Sequence, residues 1–168
     1  MQRRTLLKVG LGGSIVLTAL GGGIALIRPG LDGAKLSSGG RALFEAIARA
    51  VLDGSLPADP SLQAGALRAH LARVDDAIAA FPAATRAELS QLIALLASTP
   101  GRVAIAGLST DWAQASVAQL QASVQSMRTS SLQLRQQVYH ALRDLTNAAY
   151  FSDPTTWSQL GYPGPREL

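Results

Sequence analysis

The 168-residue chain has no cysteine and few aromatic or charged residues. Without cysteine it can form neither a disulfide nor a thiolate site, so a metal ion would depend on carboxylates and two histidines. Aromatic residues make up 5% and charged residues 15%, whereas hydrophobic residues reach 48%. A chain of this length and composition is sufficient for one domain with a single core.

The net charge of +4 comes entirely from the N-terminus. Four basic residues lie in the first 28 positions, which contain no acidic residue: Arg3, Arg4, Lys8 and Arg28. From residue 29 onward, 11 basic residues are balanced by 11 acidic ones. A protein that binds nucleic-acid phosphates needs a basic surplus in its folded part. The charge distribution therefore argues against nucleic-acid binding.

Residues 9–27 form a run of 19 residues without a charged side chain. As a helix, this run would be about 28 Å long, close to the hydrocarbon thickness of a bilayer. Six of the 19 residues are glycine, which lowers the mean hydropathy of the run. That dilution is typical of twin-arginine signals rather than of ordinary secretory signals. Because the run is uncharged and long enough to match a bilayer, we expect residues 9–27 to contact a membrane.

The preceding segment, QRRTLLK, resembles the twin-arginine translocation motif. The residues that match its positions are Arg3, Arg4, Leu6, Leu7 and Lys8. Gln2 departs from the usual Ser or Thr, and Leu6 stands where Phe is commoner. Such signals are addresses read by a receptor, here the twin-arginine translocase. The alternative is a plain signal anchor whose basic flank follows the positive-inside rule.

The leader, residues 1–28, has two possible fates: removal as a signal or retention as a membrane anchor. No A-x-A cleavage pattern follows the apolar run, and Arg28 and Pro29 end it abruptly. Retention is slightly favoured by this abrupt end. In either case we expect the body of the protein on the periplasmic side of the bacterial inner membrane, anchored or peripheral.

The remainder of the chain has helical periodicity. Residues 29–40 contain four glycines and are predicted to be a linker. Over residues 41–150, apolar residues recur at intervals of three and four, and no alternating strand pattern competes. We therefore expect an all-α fold, a compact bundle of about five helices. Residues 151–168 would follow the bundle as a C-terminal docking tail.

Capping residues and helix stops divide the bundle into its predicted helices. From the second helix to the fifth, the predicted caps are Asp59 followed by Pro60, the capping box Thr85–Glu88, Asp111, and Ser130 or Ser131. Gly54, Pro82 and Pro100 are predicted to end the first three helices. Residues 102–108, RVAIAGL, fit either a helical turn or an apolar loop.

Recognisable catalytic patterns are lacking. The sequence has no glycine-rich phosphate loop after a strand, no G-x-S-x-G and no H-x-x-x-H. His70 and His140 are interpreted as surface or boundary residues. Asp75 and Asp76 are helix neighbours about 100° apart, which favours a solvated face over a catalytic pair. We expect no catalytic, cofactor-binding or metal-binding residue, with a small autonomous periplasmic enzyme as an alternative.

The C-terminal residues 150–162 contain half of the aromatic side chains: Tyr150, Phe151, Trp157 and Tyr162. Asp153 and Pro154 are predicted to begin a helical turn there, and Gly161 to end it. A proline-stiffened aromatic tail loses little entropy on docking, which suits an interface. These four residues and Trp112 are therefore the predicted partner interface. The alternative is that the tail folds back over its own bundle.

Three segments together resemble the small subunit of membrane-associated flavin dehydrogenases, the gluconate 2-dehydrogenase subunit 3 family. They are the twin-arginine leader, VLDGSLPADP after the first helix, and the terminal YFSDPTTWSQLGYPGP. The likeness covers nearly the whole chain and is most specific in residues 150–165. The family's small subunit is non-catalytic and accompanies a large FAD-bearing subunit of the glucose-methanol-choline type. That subunit oxidises sugars, sugar acids or alcohols, and a multihaem cytochrome c often takes the electrons onward.

The resemblance implies an accessory subunit that supports export, folding and membrane attachment of the large subunit. FAD would lie in that partner and haem c in a third subunit. Some relatives hold their partner through a disulfide, which a chain without cysteine cannot form, so the contact would be noncovalent. A leader typical of the route for folded cargo fits a chain whose cofactor-bearing cargo is another polypeptide. The alternative is a stand-alone membrane-tethered helical adaptor without a redox partner.

Overall fold

A computed structural model describes residues 28–164. The long helices of this part are α1 (Ser38–Val51), α2 (Pro60–Ala79), α3 (Ala83–Ala97), α4 (Val117–Arg128) and α5 (Gln133–Phe151). They form a helical bundle, so the predicted all-α class is confirmed. The predicted leader lies outside the described residues, except for Arg28.

Helix α1 is the centre of the bundle, because all four other long helices pack against it. The Ser37 hydroxyl accepts a hydrogen bond from the Gly40 N–H and so caps its N-terminus. Leu43, Phe44 and Ile47 are buried, and the intervening alanines are buried with them. The buried residues of α1 form a wide apolar face that can contact several helices, while Arg41, Glu45 and Arg49 lie on its solvent side. Helix α1 is therefore central in its contacts, with one face open to solvent.

Residues 29–40 differ from the predicted linker. They contain an antiparallel hairpin of two short strands, β1 (Leu31–Asp32) and β2 (Lys35–Leu36), and then the first turn of α1. Leu31 and Leu36 are buried against the bundle. Gly30 lies so close to α3 that a Cβ atom would overlap the Ser90 carbonyl, which explains one of the glycines. Two-residue strands are too short to produce a periodic signal in the sequence.

Helix α2 begins as predicted, and α3 does not. The Asp59 carboxylate accepts hydrogen bonds from the N–H groups of Ser61 and Leu62, with Pro60 in the first turn. Helix α3 begins at Ala83, directly after Pro82, and has no side-chain cap. Thr85 is already its third residue, so the predicted capping box with Glu88 is wrong.

The chain bends by 85° after α3. A short helical turn, Thr99–Gly101, continues into a π-helical turn, Arg102–Ala106, which ends at Gly107 in the left-handed region. The ambiguous segment 102–108 is therefore mainly helical. Arg102 is buried and explains the turn: its guanidinium donates to the Leu108 carbonyl and pairs with Asp111 at 3.1 Å.

The predicted caps of the last two helices are wrong. Asp111 lies too far before α4 to cap it: its carboxylate pairs with Arg102 and accepts the Ala113 N–H, whereas Ser116 caps α4 in a capping box with Gln119. Helix α5 follows Leu132 and has no side-chain cap. The Ser130 hydroxyl accepts from the Leu132 N–H within the preceding turn instead. Each loop contains several polar side chains that can accept a hydrogen bond from a backbone N–H, so the sequence did not identify which of them caps the helix.

The buried side chains form a main cluster, which includes Phe44, Val74, Ile93, Trp112 and Leu142, and a smaller one. The smaller cluster consists of Ala48, Leu52, Leu67 and Tyr150, with Phe151 packed against it. It joins the end of α1, the middle of α2 and the end of α5. The C-terminal residues follow directly from this smaller cluster, because Phe151, the last residue of α5, packs against it.

Candidate partner interface

The C-terminal segment, residues 152–164, leaves the bundle where α5 ends. Its core is a 3₁₀ helix, Pro154–Leu160, which packs mainly against α5. The Asp153 carboxylate accepts hydrogen bonds from the Thr155 N–H at 2.9 Å and from its hydroxyl at 2.7 Å. Gly161 ends the helix with φ +67°, a left-handed conformation that glycine adopts without strain. The predicted start and stop of this turn are confirmed.

Arg73 of α2 fastens the segment to the bundle. Its Nε donates to the Ala149 carbonyl at 2.8 Å, and its guanidinium pairs with the Asp153 carboxylate at 3.0 Å. The hydrogen bonds from Thr155 lower the pKa of Asp153, and the Arg73 charge lowers it further. The carboxylate is therefore held in its charged form as a cap and a tether. Sequence spacing could not identify this contact, because Arg73 and Asp153 are 80 positions apart.

The aromatic residues of the segment form an ordered outer surface. The Trp157 indole N–H donates to the Phe151 carbonyl at 2.8 Å, and its ring lies 5.4 Å from that of Tyr162. Tyr162 is 47% exposed and Leu160 is 59% exposed. Leu160, the apolar residue between the two aromatic ones in the chain, was not among the predicted interface residues. The arrangement presents apolar side chains to solvent on a turn that is already hydrogen-bonded.

Two of the five predicted interface residues are core residues. Trp112 is only 2% exposed, and its indole N–H donates to the Leu96 carbonyl at 2.8 Å. Tyr150 is also buried, and its hydroxyl donates to the Ser55 carbonyl at 2.7 Å. Both polar ends are satisfied inside this chain, so neither side chain is available to a partner in this conformation. Their prediction as interface residues is wrong for this reason.

Phe151 links the core to the C-terminal segment. Its ring is half-buried and meets the Tyr150 ring edge-on, with 5.1 Å between ring centroids. Of the predicted set, the structure therefore brings Phe151, Trp157 and Tyr162 together at the surface end of α5. Tyr150 lies beneath them, and Trp112 belongs to the main cluster.

His70 differs from the prediction of a surface or boundary position. It is 0% exposed in the middle of α2, and neither ring nitrogen has a hydrogen-bond partner among the described residues. Burial lowers the pKa of the imidazole to about 4, and the nearby Arg73 charge contributes. His140 is exposed on α5, as predicted, with its ring against Tyr139.

Asp75 also differs from its predicted solvated face. Its carboxylate accepts the Leu36 N–H at 2.8 Å and pairs with Arg41 at 2.9 Å. Asp75 therefore joins the hairpin to α1 and α2, whereas Asp76 is exposed. The two adjacent carboxylates face different surroundings and do not act together.

An open groove of about 350 Å³ follows the solvent side of α1. Arg41, Glu45 and Arg49 line it, with small alanines between them. The Arg41 guanidinium pairs with the Asp75 carboxylate, and the Arg49 guanidinium donates to the Trp112 carbonyl at 3.2 Å. The two guanidinium groups are thus already engaged in structural contacts.

No group of histidine and acidic side chains in residues 28–164 is arranged to hold a metal ion. In the same range, no single helix is long and apolar enough to cross a membrane. Helix α3 and the helical turns after it reach that length and apolar composition only when taken together, across the 85° bend. The predicted membrane run, residues 9–27, lies outside the described part. So do the predicted signal residues Arg3, Arg4, Leu6, Leu7 and Lys8.

No protein-family model, no curated protein and no solved structure matches this chain.

Proposed function

We propose that this chain is a non-catalytic accessory subunit of a periplasmic, membrane-associated flavin dehydrogenase. The observation that carries the proposal is the C-terminal segment, where exposed Leu160 and Tyr162 lie on a turn ordered by Asp153 and Trp157. A surface that is ordered before binding loses little conformational entropy when a partner covers it. The same residues carry the most specific part of the family resemblance.

The partner in this proposal is the large FAD-bearing subunit, which oxidises a sugar, a sugar acid or an alcohol. In this proposal FAD belongs to that subunit, and a multihaem cytochrome c, as a third subunit, accepts the electrons. The contact with this chain is noncovalent, because the chain has no cysteine. The surface that we assign to it is Phe151, Trp157, Leu160 and Tyr162.

The leader has the second role in the proposal. Arg3 and Arg4 are read by the twin-arginine translocase, with Leu6, Leu7 and Lys8 as the remainder of the motif. Because that route carries folded cargo, one leader suffices for the pair of subunits. Residues 9–27 then hold the complex at the periplasmic face of the inner membrane.

The interface is tested by replacing Leu160 and Tyr162 together with serine in the full-length chain. Solubilised membranes are purified on a tag carried by this chain, and flavin absorbance is measured in the eluate. We expect the double variant to lose most of the flavin, because its apolar contact surface is gone. Leu132→Ser is the matched control: Leu132 is similarly exposed, at 61%, but lies before α5. Equal flavin recovery from the double variant and wild type would refute the assignment.

The export role is tested by replacing Arg3 and Arg4 with lysine, which keeps the charge and removes the motif. We expect dehydrogenase activity to move from the periplasm to the cytoplasm, whereas Arg28→Lys leaves it in place. Periplasmic activity that survives the double replacement would contradict this role. Wild-type membranes that yield no flavoprotein would favour the stand-alone adaptor, and turnover by the isolated chain would favour an enzyme.

A further inference from the structure

His70 is a buried titratable group that neither the bundle nor the proposed interface requires. Its two ring nitrogens are enclosed and lack partners among the described residues. The Thr146 hydroxyl, on the facing helix α5, is likewise buried without a partner. A buried polar group without a hydrogen bond costs stability, so an apolar residue would serve packing better. The position therefore suggests a role other than stabilising the bundle.

The surroundings of His70 make a proton costly there. The ring of Tyr150, a titratable residue of α5, lies 6.3 Å from the imidazole between ring centroids. Arg73, on α2 itself, is the charged group that acts on the imidazole. Tyr150 itself packs against the apolar α1 residues Ala48 and Leu52 in the smaller cluster. Strand β2 also packs against α2, and its charged residue, Lys35, is exposed. None of these neighbours offers an anionic acceptor to an imidazolium ion.

The same neighbours hold the C-terminal segment. Tyr150 packs in the smaller cluster and supports Phe151, whose carbonyl accepts the Trp157 N–H. Arg73 holds the Ala149 carbonyl and the Asp153 carboxylate. If the contact between α2 and α5 opens at His70, both contacts that hold the C-terminal segment weaken: the packing of Tyr150 and the hydrogen bonds of Arg73.

We propose that His70 is a proton-sensitive lock on the C-terminal segment: protonation of its buried ring opens the contact between α2 and α5 and releases residues 152–164. The opening is a property of this chain alone. Only its consequence, weaker partner binding in acid, rests on the proposed function.

The direction of the effect follows from the two protonation equilibria. The pKa of His70 is about 4 in the closed state and 6.5 in an exposed imidazole, so the open state binds the proton more tightly. The closed state is therefore fully favoured above pH 6.5 and loses this advantage as the pH falls towards 4. Between pH 7.5 and 5.0 the opening equilibrium should increase about 30-fold.

Hydrogen exchange of the full-length chain in mild detergent tests the lock without any partner. Exchange of the amides in residues 145–160 is measured at pH 7.5 and 5.0 and corrected for the intrinsic exchange rates. We expect the corrected opening to rise about 30-fold in wild type and to stay nearly constant in His70→Gln, which cannot take up the proton. His140→Gln, at the exposed histidine of α5, is the matched control and should retain the rise.

An unchanged rise in His70→Gln, or no rise in wild type, would overturn the proposal. If the Gln variant does not fold, His70→Phe replaces it, and the wild-type imidazole is titrated by NMR. A His70 pKa near 4 together with the rise in exchange supports the lock, whereas a pKa near 6.5 in the folded chain overturns it. Because no partner is used, failure of the dehydrogenase proposal leaves these outcomes unaffected.

Discussion

The two tryptophans of this chain show how differently its two regions are built. Each indole N–H donates to a backbone carbonyl at 2.8 Å. The Trp112 bond reaches Leu96 across 16 positions and joins a loop to α3 in the main cluster. The Trp157 bond reaches Phe151 across six positions and orders only the C-terminal segment. The same side chain therefore supports the whole bundle in one region and a local turn in the other.

The difference shows that residue type is a poor guide to an interface. Aromatic side chains suit both cores and binding surfaces, because each combines a large apolar area with a polar end. Trp112 and Tyr150 satisfy their polar ends inside the bundle. Trp157 and Tyr162 leave part of their rings at the surface. Burial separates the two pairs.

The largest effect should come from Phe44→Ala in the central helix α1. The Phe44 ring is fully buried among the helices, so its removal leaves a cavity that the bundle fills only in part. We expect the free energy of unfolding to fall by about 3–5 kcal/mol in urea titrations followed by circular dichroism. Leu160→Ala, in the C-terminal segment, should change it by less than about 0.5 kcal/mol. Similar losses in both variants would contradict the division into two regions.

The same substitution at the two tryptophans makes the comparison sharper. Trp112→Phe leaves the buried Leu96 carbonyl without its donor, and we expect a loss of about 1–3 kcal/mol in the free energy of unfolding. Trp157→Phe removes an equivalent hydrogen bond outside the bundle, and global stability should change by less than about 0.5 kcal/mol. Instead, hydrogen exchange should rise in residues 152–164. A larger global loss from Trp157→Phe than from Trp112→Phe would reverse the interpretation.

Tyr150→Phe tests the boundary between the regions and should have a smaller effect. It removes the hydrogen bond to the Ser55 carbonyl while the ring stays packed in the smaller cluster. We expect a loss of about 1 kcal/mol in thermal or urea unfolding. Tyr162→Phe, at an exposed ring, serves as the control and should be neutral. No measurable loss from Tyr150→Phe would mean that this residue belongs energetically to the C-terminal segment.

Helix starts could be predicted from the sequence where an Asp-Pro pair supplies both the cap and the first-turn proline. Asp59 with Pro60, and Asp153 with Pro154, mark starts that the structure confirms. Prediction failed where several polar residues competed, as at Thr85, Asp111 and Ser130. Caps depend on local geometry within one turn: Asp111 accepts the Ala113 N–H in a turn that ends before α4 begins, and Ser116 caps the helix instead.

The amino-acid sequence by itself determined the helical class, the burial of the α1 stripe and the turn at residues 153–161. The helices and the turn depend on interactions between residues a few positions apart, and the apolar face of α1 shows as a three-four spacing, so a linear pattern records them. Only the tertiary structure decided that Trp112, Tyr150 and His70 lie inside and that Arg73 anchors the C-terminal segment. Those placements depend on which helices meet, because burial and long-range pairing bring together residues that sequence spacing does not relate.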